Sequence, residues 1–215
     1  LPDVRRGGQG SGGGGVEHVD VVADGGRFWV SYYDQYIGKT NLVYTGLEKP
    51  DDSEKIYQSD LCGWVGQMGY GREDAYGANV YQTEVQETLH GAGFYATGEH
   101  TSYEIYVARD LEYNKGFQKR QLMAKGEVRY SGYYTVEWDD GIELEPGERF
   151  AVILYVKTLG AVHPLAIEYR ADDATSMADI SDGEGYISAG GAVWERAEEN
   201  YQCNLCLKAY TTIRR

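Results

Sequence analysis

Three cysteines and four histidines are the residues that could supply nucleophilic catalysis in this chain of 215 residues. A cysteine nucleophile needs an imidazole that takes its proton and a third group that orients the imidazole. The cysteines lie at Cys62 and at Cys203 and Cys206, in stretches that carry no catalytic motif. We therefore expect no catalytic residues in this chain. The histidines are scattered among predicted strands and turns, at His18, His90, His100 and His163.

The sequence Cys203-Asn204-Leu205-Cys206 has the CxxC spacing of zinc and redox sites. It falls in a predicted strand, where positions three apart face opposite sides of the sheet. The residues that complete a zinc ribbon or a redox helix are missing. An odd count of three cysteines allows one disulfide at most. We predict that Cys206 is a small buried apolar residue, as free cysteine commonly is.

A glycine-punctuated aromatic stretch that begins at residue 61 could bind carbohydrate. Sugar rings stack their C–H faces on tryptophan and tyrosine, while polar and charged side chains bind the hydroxyl groups. Gly69 and Gly71 would let the backbone approach a ligand closely. The alternative is that these aromatic residues pack in the core or across strands. The candidate carbohydrate-binding residues are Trp64, Tyr70, Arg72, Asp74 and Tyr76, together with Trp194 in a later predicted hairpin.

The rest of the chain must position these residues on β-strands. Side chains alternate at 102–107, with Tyr103, Ile105 and Val107 on one side, which is the period of a half-buried strand. The segment 149–157 is apolar on both faces, as is typical of a central strand. Turns are predicted at 139–141 and, from a Pro-Gly pair, at 145–148. Further strands are predicted at 79–83, 88–95, 122–129, 132–138, 165–169, 186–188, 192–195 and 205–211, and the predicted fold class is an all-β sandwich of the jelly-roll type.

Composition disfavours several classes of protein. Acidic residues outnumber basic ones by 34 to 20, and the net charge of −14 repels nucleic acid and anionic membranes, so neither is expected as a partner. No apolar run approaches the roughly 18–20 residues of a membrane helix, so we expect no membrane span. The acidic residues could supply the carboxylate pair of a glycoside hydrolase, but no spacing selects such a pair. The glycine-rich residues 1–25 are predicted to be flexible.

Several sequence blocks resemble one known domain family. They are GWVGQMGYGREDAYGANVYQ, GFYA, TSYEIYV, GYISAGGAVWER and NLCLKAYT, in that order. The chain resembles, over residues 26–211, the lectin-like domain that follows the catalytic domain in bacterial papain-like cysteine proteases, such as those that process the surface layer of clostridia. The block GRFWVSYYD is similar to the last core strand of the protease domain. The Asn-Ser-Trp-Gly motif that precedes this strand in the family is replaced here by Val-Val-Ala-Asp-Gly, and the family's cysteine and histidine motifs are absent.

The resemblance implies a non-catalytic accessory domain. Its expected organisation is a flexible lead at 1–25, a remnant of the protease strand plus a polar linker at 26–60, and a lectin-like sandwich at 61–212. The implied ligand is carbohydrate or a cell-wall polymer, the implied partner is a papain-like protease domain, and the implied location is extracellular or at the bacterial cell surface. The alternative function is a structural module that packs on a protease domain without affinity for sugar.

The resemblance also allows a structural calcium ion, since lectin-like jelly rolls commonly carry one. Calcium takes oxygen ligands only. None of the acidic clusters in the chain has the spacing of an EF-hand loop, and each also fits a solvated turn, so no ligands are assigned. The clusters are Glu73-Asp74, Asp139-Asp140, Asp172-Asp173 and Asp182-Gly183-Glu184.

Overall fold

The computed structural model describes residues 53–109, 111 and 117–214, together with the strand backbone at 23–24 and 27–28. Nearly all regular structure in these residues is β, which confirms the predicted all-β fold class. The elements are β1 (Ala23–Asp24), β2 (Arg27–Phe28), β3 (Glu54–Tyr57), β4 (Gly66–Met68), β5 (Asp74–Gln82), β6 (Glu87–Ala96), β7 (Thr101–Ala108), β8 (Arg120–Val128), β9 (Gly132–Leu144), β10 (Arg149–Thr158), β11 (Leu165–Glu168), β12 (Gly185–Ser188), β13 (Glu195–Arg196), α1 (Ala197–Tyr201), β14 (Asn204–Leu205) and β15 (Leu207–Ile213).

Six antiparallel strands form the larger sheet, in the order β13-β12-β5-β10-β7-β8. The strand β10 lies between β5 and β7, which confirms that the segment apolar on both faces is a central strand. Its Val152 and Leu154 are buried in the main core, whereas Ala151 and Ile153 are buried on the opposite face. The strand is apolar on both sides because both faces of the sheet are covered at that point.

Two smaller sheets form the opposite layer of the sandwich, in the orders β3-β15-β6-β9 and β14-β11-β4. The main core lies between the layers and collects apolar side chains from β5, β7 and β10 on one side and from β6, β11 and β15 on the other. Phe94 and Phe150 are fully buried there. The Tyr57 ring meets Phe150 edge to face, with centroids 5.6 Å apart. Burial of these apolar surfaces drives the two layers together.

Two short strands and the helix were not predicted from the sequence. β3 lies in the stretch predicted as a polar linker and pairs with β15, with Tyr57 opposite Ala209. β4 lies in the glycine-punctuated aromatic stretch that begins at residue 61, and it pairs with β11. Both strands are too short and too polar to show an apolar period of two. The helix α1 has only five residues, fewer than an apolar helical period requires.

The turn predicted at 139–141 is wrong, because these residues belong to β9. The ladder between β6 and β9 shifts its register between Leu89 and Gly91, so that residues 138–141 bulge out of it. The indole Nε1 of Trp138 donates to Leu89 O over 3.2 Å and anchors the bulge. The Asp-Asp-Gly sequence therefore marks a β-bulge within a continuous strand and no reversal of the chain.

The predicted hairpin around two adjacent glycines is confirmed, since β12 and β13 pair antiparallel with Ile187 opposite Glu195. β13 begins three residues later than the predicted strand at 192–195. The Pro-Gly turn is also confirmed, since Glu148 N donates to Glu145 O over 3.0 Å.

The amino-terminal unit spans Leu1–Lys49, and within it β1 and β2 pair antiparallel with Ala23 opposite Phe28. Outside the described residues lie the rest of the predicted lead at 1–25, the rest of the predicted strand at 26–34 and the linker up to residue 52. The proposed division into lead, remnant and sandwich therefore stays a prediction. Within the described residues, no helix reaches the length and apolarity of a membrane span.

Candidate functional site

The six-stranded sheet presents a row of aromatic side chains on the face turned away from the main core. On β5, Ala75 points into the core, so the next side chain, Tyr76, points outward. The same alternation brings outward side chains of β7, β10 and β12 onto this face, where they are half-buried. We name as the tyrosine face the set Tyr76, Tyr106, Tyr155 and Tyr186 with Arg120 and Trp194.

Aromatic rings and one guanidinium group pack side by side on the tyrosine face. Tyr76 and Tyr155 lie opposite each other in the ladder between β5 and β10, with ring centroids 4.7 Å apart. Trp194 meets Tyr76 edge to face at 6.3 Å. The Arg120 guanidinium lies over the rings of Tyr76 and Tyr106, 5.1 and 5.0 Å from their centroids. These cation–π and ring contacts hold the aromatic surface in place before any ligand arrives.

Charged and hydroxyl groups border the tyrosine face. Arg72 forms a two-pronged ion pair with Asp74, with N–O distances of 2.6 and 2.9 Å. Asp74 also accepts a hydrogen bond from the Tyr155 hydroxyl over 3.4 Å. The Tyr106 hydroxyl donates to Glu104, and burial together with this carboxylate raises the pKa of Tyr106 to about 12. The phenol is therefore protonated at neutral pH, and the border offers both donors and acceptors to a polar ligand.

The six predicted carbohydrate-binding residues do not share one surface. Trp64 lies against Tyr95 of the four-stranded sheet, with ring centroids 5.9 Å apart. Tyr70 packs against the main core, and its hydroxyl donates to Glu195 Oε1 over 3.2 Å. The contact of any of the six with sugar stays a prediction. The other four lie on or beside the tyrosine face: Arg72, Asp74, Tyr76 and Trp194.

Four members of the tyrosine face were not predicted as site residues: Tyr106, Tyr155, Tyr186 and Arg120. The alternation at 102–107 already placed Tyr106 on the side opposite Ile105, and this signal could have been used. Tyr155 lies in an apolar run, and Arg120 lies at the start of a strand. Both reach Tyr76 only through the strand order β5-β10-β7-β8, which local spacing does not contain.

A second feature consists of buried oxygen atoms that converge on the backbone at 183–185. Asn79 and Asn204 are 1% and 0% exposed, and neither Oδ1 atom has a hydrogen-bond donor in the part of the chain that the structure describes. Glu198 is 6% exposed, and its Oε1 accepts a hydrogen bond from Gly185 N over 2.6 Å. We name Asn79 Oδ1, Asn204 Oδ1 and the Glu198 carboxylate the oxygen cluster. Buried acceptors without donors are uncommon and costly in folded proteins.

Two glycines leave room for the oxygen cluster. A Cβ atom at Gly183 would lie only 2.6 Å from Glu198 Oε1 and 3.1 Å from Asn204 Oδ1. A Cβ atom at Gly185 would lie 2.8 Å from Glu198 Oε1 and 3.2 Å from Asn79 Oδ1. Glu198 Oε1 therefore lies next to both glycines. Asn204 Oδ1 lies next to Gly183, and Asn79 Oδ1 lies next to Gly185.

The orientation of both amide groups is set by their nitrogen atoms. Asn79 Nδ2 donates to Leu205 O over 3.2 Å and to Leu207 O over 2.8 Å. Asn204 Nδ2 donates to Ser59 O over 2.9 Å. Because these acceptors are main-chain carbonyls, neither amide can be turned over without loss of its hydrogen bonds. The Oδ1 atoms must therefore face the oxygen cluster.

The surroundings of the oxygen cluster are rich in negative charge. Burial raises the pKa of Glu198, and Glu184 adds to this effect, although the Gly185 N–H and Arg196 oppose it. Arg196 Nε lies 3.5 Å from Glu198 Oε2, an ion-pair distance at which the two atoms form no hydrogen bond. Burial likewise raises the pKa of Asp182. One carboxylate and two amide oxygens in such a place fit a hard cation such as calcium.

Only some of the acidic clusters named from the sequence lie next to the oxygen cluster. Asp182 and Glu184 adjoin the oxygen cluster in the chain, whereas Asp74 pairs with Arg72 and Asp172 accepts from Thr175 N within a turn. In the described part of the chain, no three acidic, histidine or cysteine side chains converge as metal ligands. The oxygen cluster is not a group of this kind, because two of its three side chains are asparagines.

The two buried cysteines are placed as structural residues. Cys206 Sγ donates to Gly63 O over 3.4 Å, and Cys203 Sγ donates to Ala197 O over 3.9 Å. Cys206 is 3% exposed, which confirms that it is a buried apolar residue. Burial raises the pKa of Cys203 to about 12 and also raises that of Cys206. A protonated, buried thiol is the opposite of the activated thiolate that a cysteine protease uses.

Comparison with known proteins agrees with the fold. A family model described as a lectin-like domain matches residues 56–211. The chain is similar to a cysteine-to-alanine variant of the clostridial cysteine protease Cwp84 after propeptide cleavage, with a TM-score of 0.66 and 25% identity over 78% of this chain and 42% of that one. It is also similar in fold to the cysteine protease and lectin-like domains of Cwp84, a surface layer associated protein of Clostridium difficile, with a TM-score of 0.58 and 24% identity over 78% of this chain and 37% of that one.

The chain thus spans less than half the length of the solved structures that it matches. No curated protein matches the sequence. The family model covers most of the residues that form the sandwich, from β3 to β15. The chain therefore belongs to the family of lectin-like domains.

Proposed function

We propose that the chain is a non-catalytic accessory domain of a papain-like cysteine protease and that it binds carbohydrate of the cell envelope at the tyrosine face. The observation that carries this proposal is the row of half-buried rings on a sheet face turned away from the main core. Tyr76 and Tyr155 lie side by side there, and Arg120 covers Tyr76 and Tyr106. Tyr76, Tyr106, Tyr186 and Trp194 also pack against a smaller buried cluster that includes Phe117. The parts of these half-buried rings that stay accessible form aromatic surface of the kind that binds ligands.

The chemistry of the tyrosine face suits a sugar. The rings of Tyr155 and Trp194, on either side of Tyr76, provide apolar surface for the C–H face of a pyranose. The Arg72–Asp74 pair at the border provides charged donors and acceptors for hydroxyl groups. Because Arg120 already lies between rings, little side-chain freedom would be lost on binding.

The relatives support the location and the partner in this proposal. Both solved structures belong to a cysteine protease, and one of them is described as surface layer associated. We infer by this likeness that the chain acts outside the cell, at the bacterial surface, beside a protease domain.

A structural module that binds a protein and no sugar is the second candidate. It is favoured by apolar side chains at exposed loop tips close to the tyrosine face. Val193, next to Trp194, is 79% exposed, and Val162 is 56% exposed in a loop whose carbonyl oxygen accepts from Gly71 N over 3.1 Å. Exposed apolar groups near a recognition surface commonly contact a protein partner.

Binding of the full chain to an immobilised panel of bacterial wall polysaccharides separates the two candidates. We expect saturable binding that Trp194→Ala weakens by about fivefold, since a stacking contact contributes on the order of 1 kcal/mol. Trp64→Ala, beside Tyr95 of the four-stranded sheet, is the matched control and should leave binding unchanged. Loss of binding in Trp64→Ala alone would move the site to the four-stranded sheet. Absence of saturable binding to every polysaccharide would favour the protein-binding module.

We further propose that the oxygen cluster holds a structural calcium ion. Asn79, Asn204 and Glu198 would supply the ligands from the chain, and the ion would supply the positive charge that their buried oxygens lack. The fit rests on the two amide oxygens without donors and on the space that Gly183 and Gly185 leave beside them.

Thermal unfolding with calcium and with a chelator tests this site. An ion bound only by the folded chain at about 100 times its dissociation constant adds about 2.7 kcal/mol of stability, which corresponds to a rise in Tm of several degrees. Glu198→Gln keeps an acceptor for Gly185 N and should remove most of the rise. An identical Tm for the parent chain in calcium and in chelator would contradict the proposal.

A further inference from the structure

We propose that cation binding at the oxygen cluster positions Trp194 on the tyrosine face, so that calcium controls carbohydrate binding from within the fold. This inference rests on the proposed function, because the regulated surface is the proposed sugar site. The segment from Gly183 to Asn204 connects the two places. It contains β12, β13 and α1, and its two ends contribute to or border the oxygen cluster.

The oxygen cluster fixes both ends of that segment. Glu198 on α1 reaches back to β12, where its Oε1 accepts from Gly185 N over 2.6 Å. Asn204 adjoins Gly183 at the opposite end of the segment. An ion bound by Glu198, Asn204 and Asn79 would therefore join α1 and β14 to the central strand β5, which carries Asn79.

Trp194 depends on the same segment for its position. It directly precedes β13, a strand of two residues at the edge of the described sheet that pairs with β12. Its ring packs edge to face on Phe117 at 4.8 Å and on Tyr76 at 6.3 Å. Its Nε1 atom is buried and has no acceptor among the residues that the structure describes. A short edge strand gives Trp194 little support of its own, so the placement of its ring follows that of β12 and α1.

Electrostatic repulsion distinguishes the segment without a bound cation from the segment with one. Without a cation, the buried Glu198 carboxylate faces two acceptor oxygens that have no donor among the described residues. The ion pair with Arg196 at 3.5 Å offsets this only in part, since no hydrogen bond forms. The helix α1 also begins without a side-chain cap at Arg196. Without calcium we therefore expect the segment to open more readily than the rest of the sheet.

Hydrogen exchange of the full chain measures this opening without any sugar. With calcium at about 100 times its dissociation constant, amides of β12, β13 and α1 should exchange about tenfold to a hundredfold more slowly than in chelator. Amides of β9, in the other sheet, serve as the internal reference and should change less. Equal concentrations of magnesium, which needs a tighter octahedral site, are the ionic-strength control. Exchange that calcium leaves unchanged in the segment overturns the proposal.

Carbohydrate binding then tests the functional link, with the immobilised panel of wall polysaccharides as the probe. We expect chelation to weaken binding about tenfold or more, and Glu198→Gln to do the same in calcium. Glu199→Gln is the matched control, because Glu199 is the next residue on α1 with a 69% exposed side chain, and it should bind as the parent does. Binding that is equal in calcium and in chelator overturns the control by calcium and leaves the proposed function standing. If no polysaccharide binds under any condition, the proposed function fails and the exchange measurement alone decides whether calcium orders Trp194.

Discussion

Lys208 and Asp60 form an ion pair that is closed off from solvent inside the sandwich. Lys208 Nζ lies 2.9 Å from both carboxylate oxygens of Asp60 and donates to Gln58 Oε1 over 2.6 Å. The Asp60 side chain is 0% exposed. Burial raises the pKa of Asp60 more than the Lys208 charge lowers it, and Glu168 adds to the rise. Loss of either partner would leave the other charge buried alone.

The substitution Lys208→Met keeps the apolar stem and removes the charge. We expect it to lower the free energy of unfolding by about 3–5 kcal/mol, since Asp60 would then lie buried beside Glu168 without a counter-charge. Urea denaturation at neutral pH measures the change. The control is Arg214→Gln, which removes an exposed ion pair with Glu143 and should cost less than about 1 kcal/mol. Equal losses of unfolding free energy in the two variants would show that the buried Lys208–Asp60 pair contributes no more to stability than an exposed ion pair.

At the scale of elements, strands with a regular alternation were predictable and strands with buried polar pairs were not. The alternation at 102–107 identified Ile105 and Val107 as core residues, because a half-buried strand shows its buried face directly in the sequence. β3 shows no such pattern. Its inward Tyr57 donates to the buried Glu87 over 2.8 Å, and Lys55 lies 3.3 Å from the same carboxylate. Partners from a distant strand make these polar residues suitable for the interior, and local sequence does not reveal them.

The candidate sites were predictable only where their residues are neighbours in sequence. Asp74 and Tyr76 lie on β5, and Arg72 lies two residues before Asp74, so the sequence spacing already indicated that the three residues are neighbours. Tyr155 joins them through pairing of β5 with β10, which is a property of sheet topology. The oxygen cluster draws on Asn79 and on residues more than a hundred positions further along the chain, and with one acid among three side chains it resembles no metal motif.

At the scale of the whole molecule, the chain combines 20 tyrosines with a net charge of −14. Burial raises the pKa of Tyr57 and of Tyr106 to about 12, and hydrogen bonds to carboxylates add to both shifts. Burial also raises the pKa values of Tyr70, Tyr81 and Tyr133. Each of these phenols holds its proton more tightly in the folded chain than in the unfolded chain, where the ordinary pKa is 10.0. The fold is thus stabilised by the neutral form of several tyrosines together.

This linkage predicts alkaline unfolding in a defined window. The stabilisation is complete below the unfolded pKa of 10.0 and is lost as the pH rises through the folded pKa of about 12, because only the unfolded chain releases the proton in between. Urea midpoints measured across this window follow the loss of stability, and the ultraviolet absorbance of tyrosinate follows the ionisation of tyrosine. Tyr57→Phe should decline less steeply than the parent chain, whereas Tyr130→Phe, at a 59% exposed position, should follow the parent. A urea midpoint that stays constant up to about pH 12 while tyrosinate forms would contradict the linkage, since ionisation would then occur in the intact fold at no cost in stability.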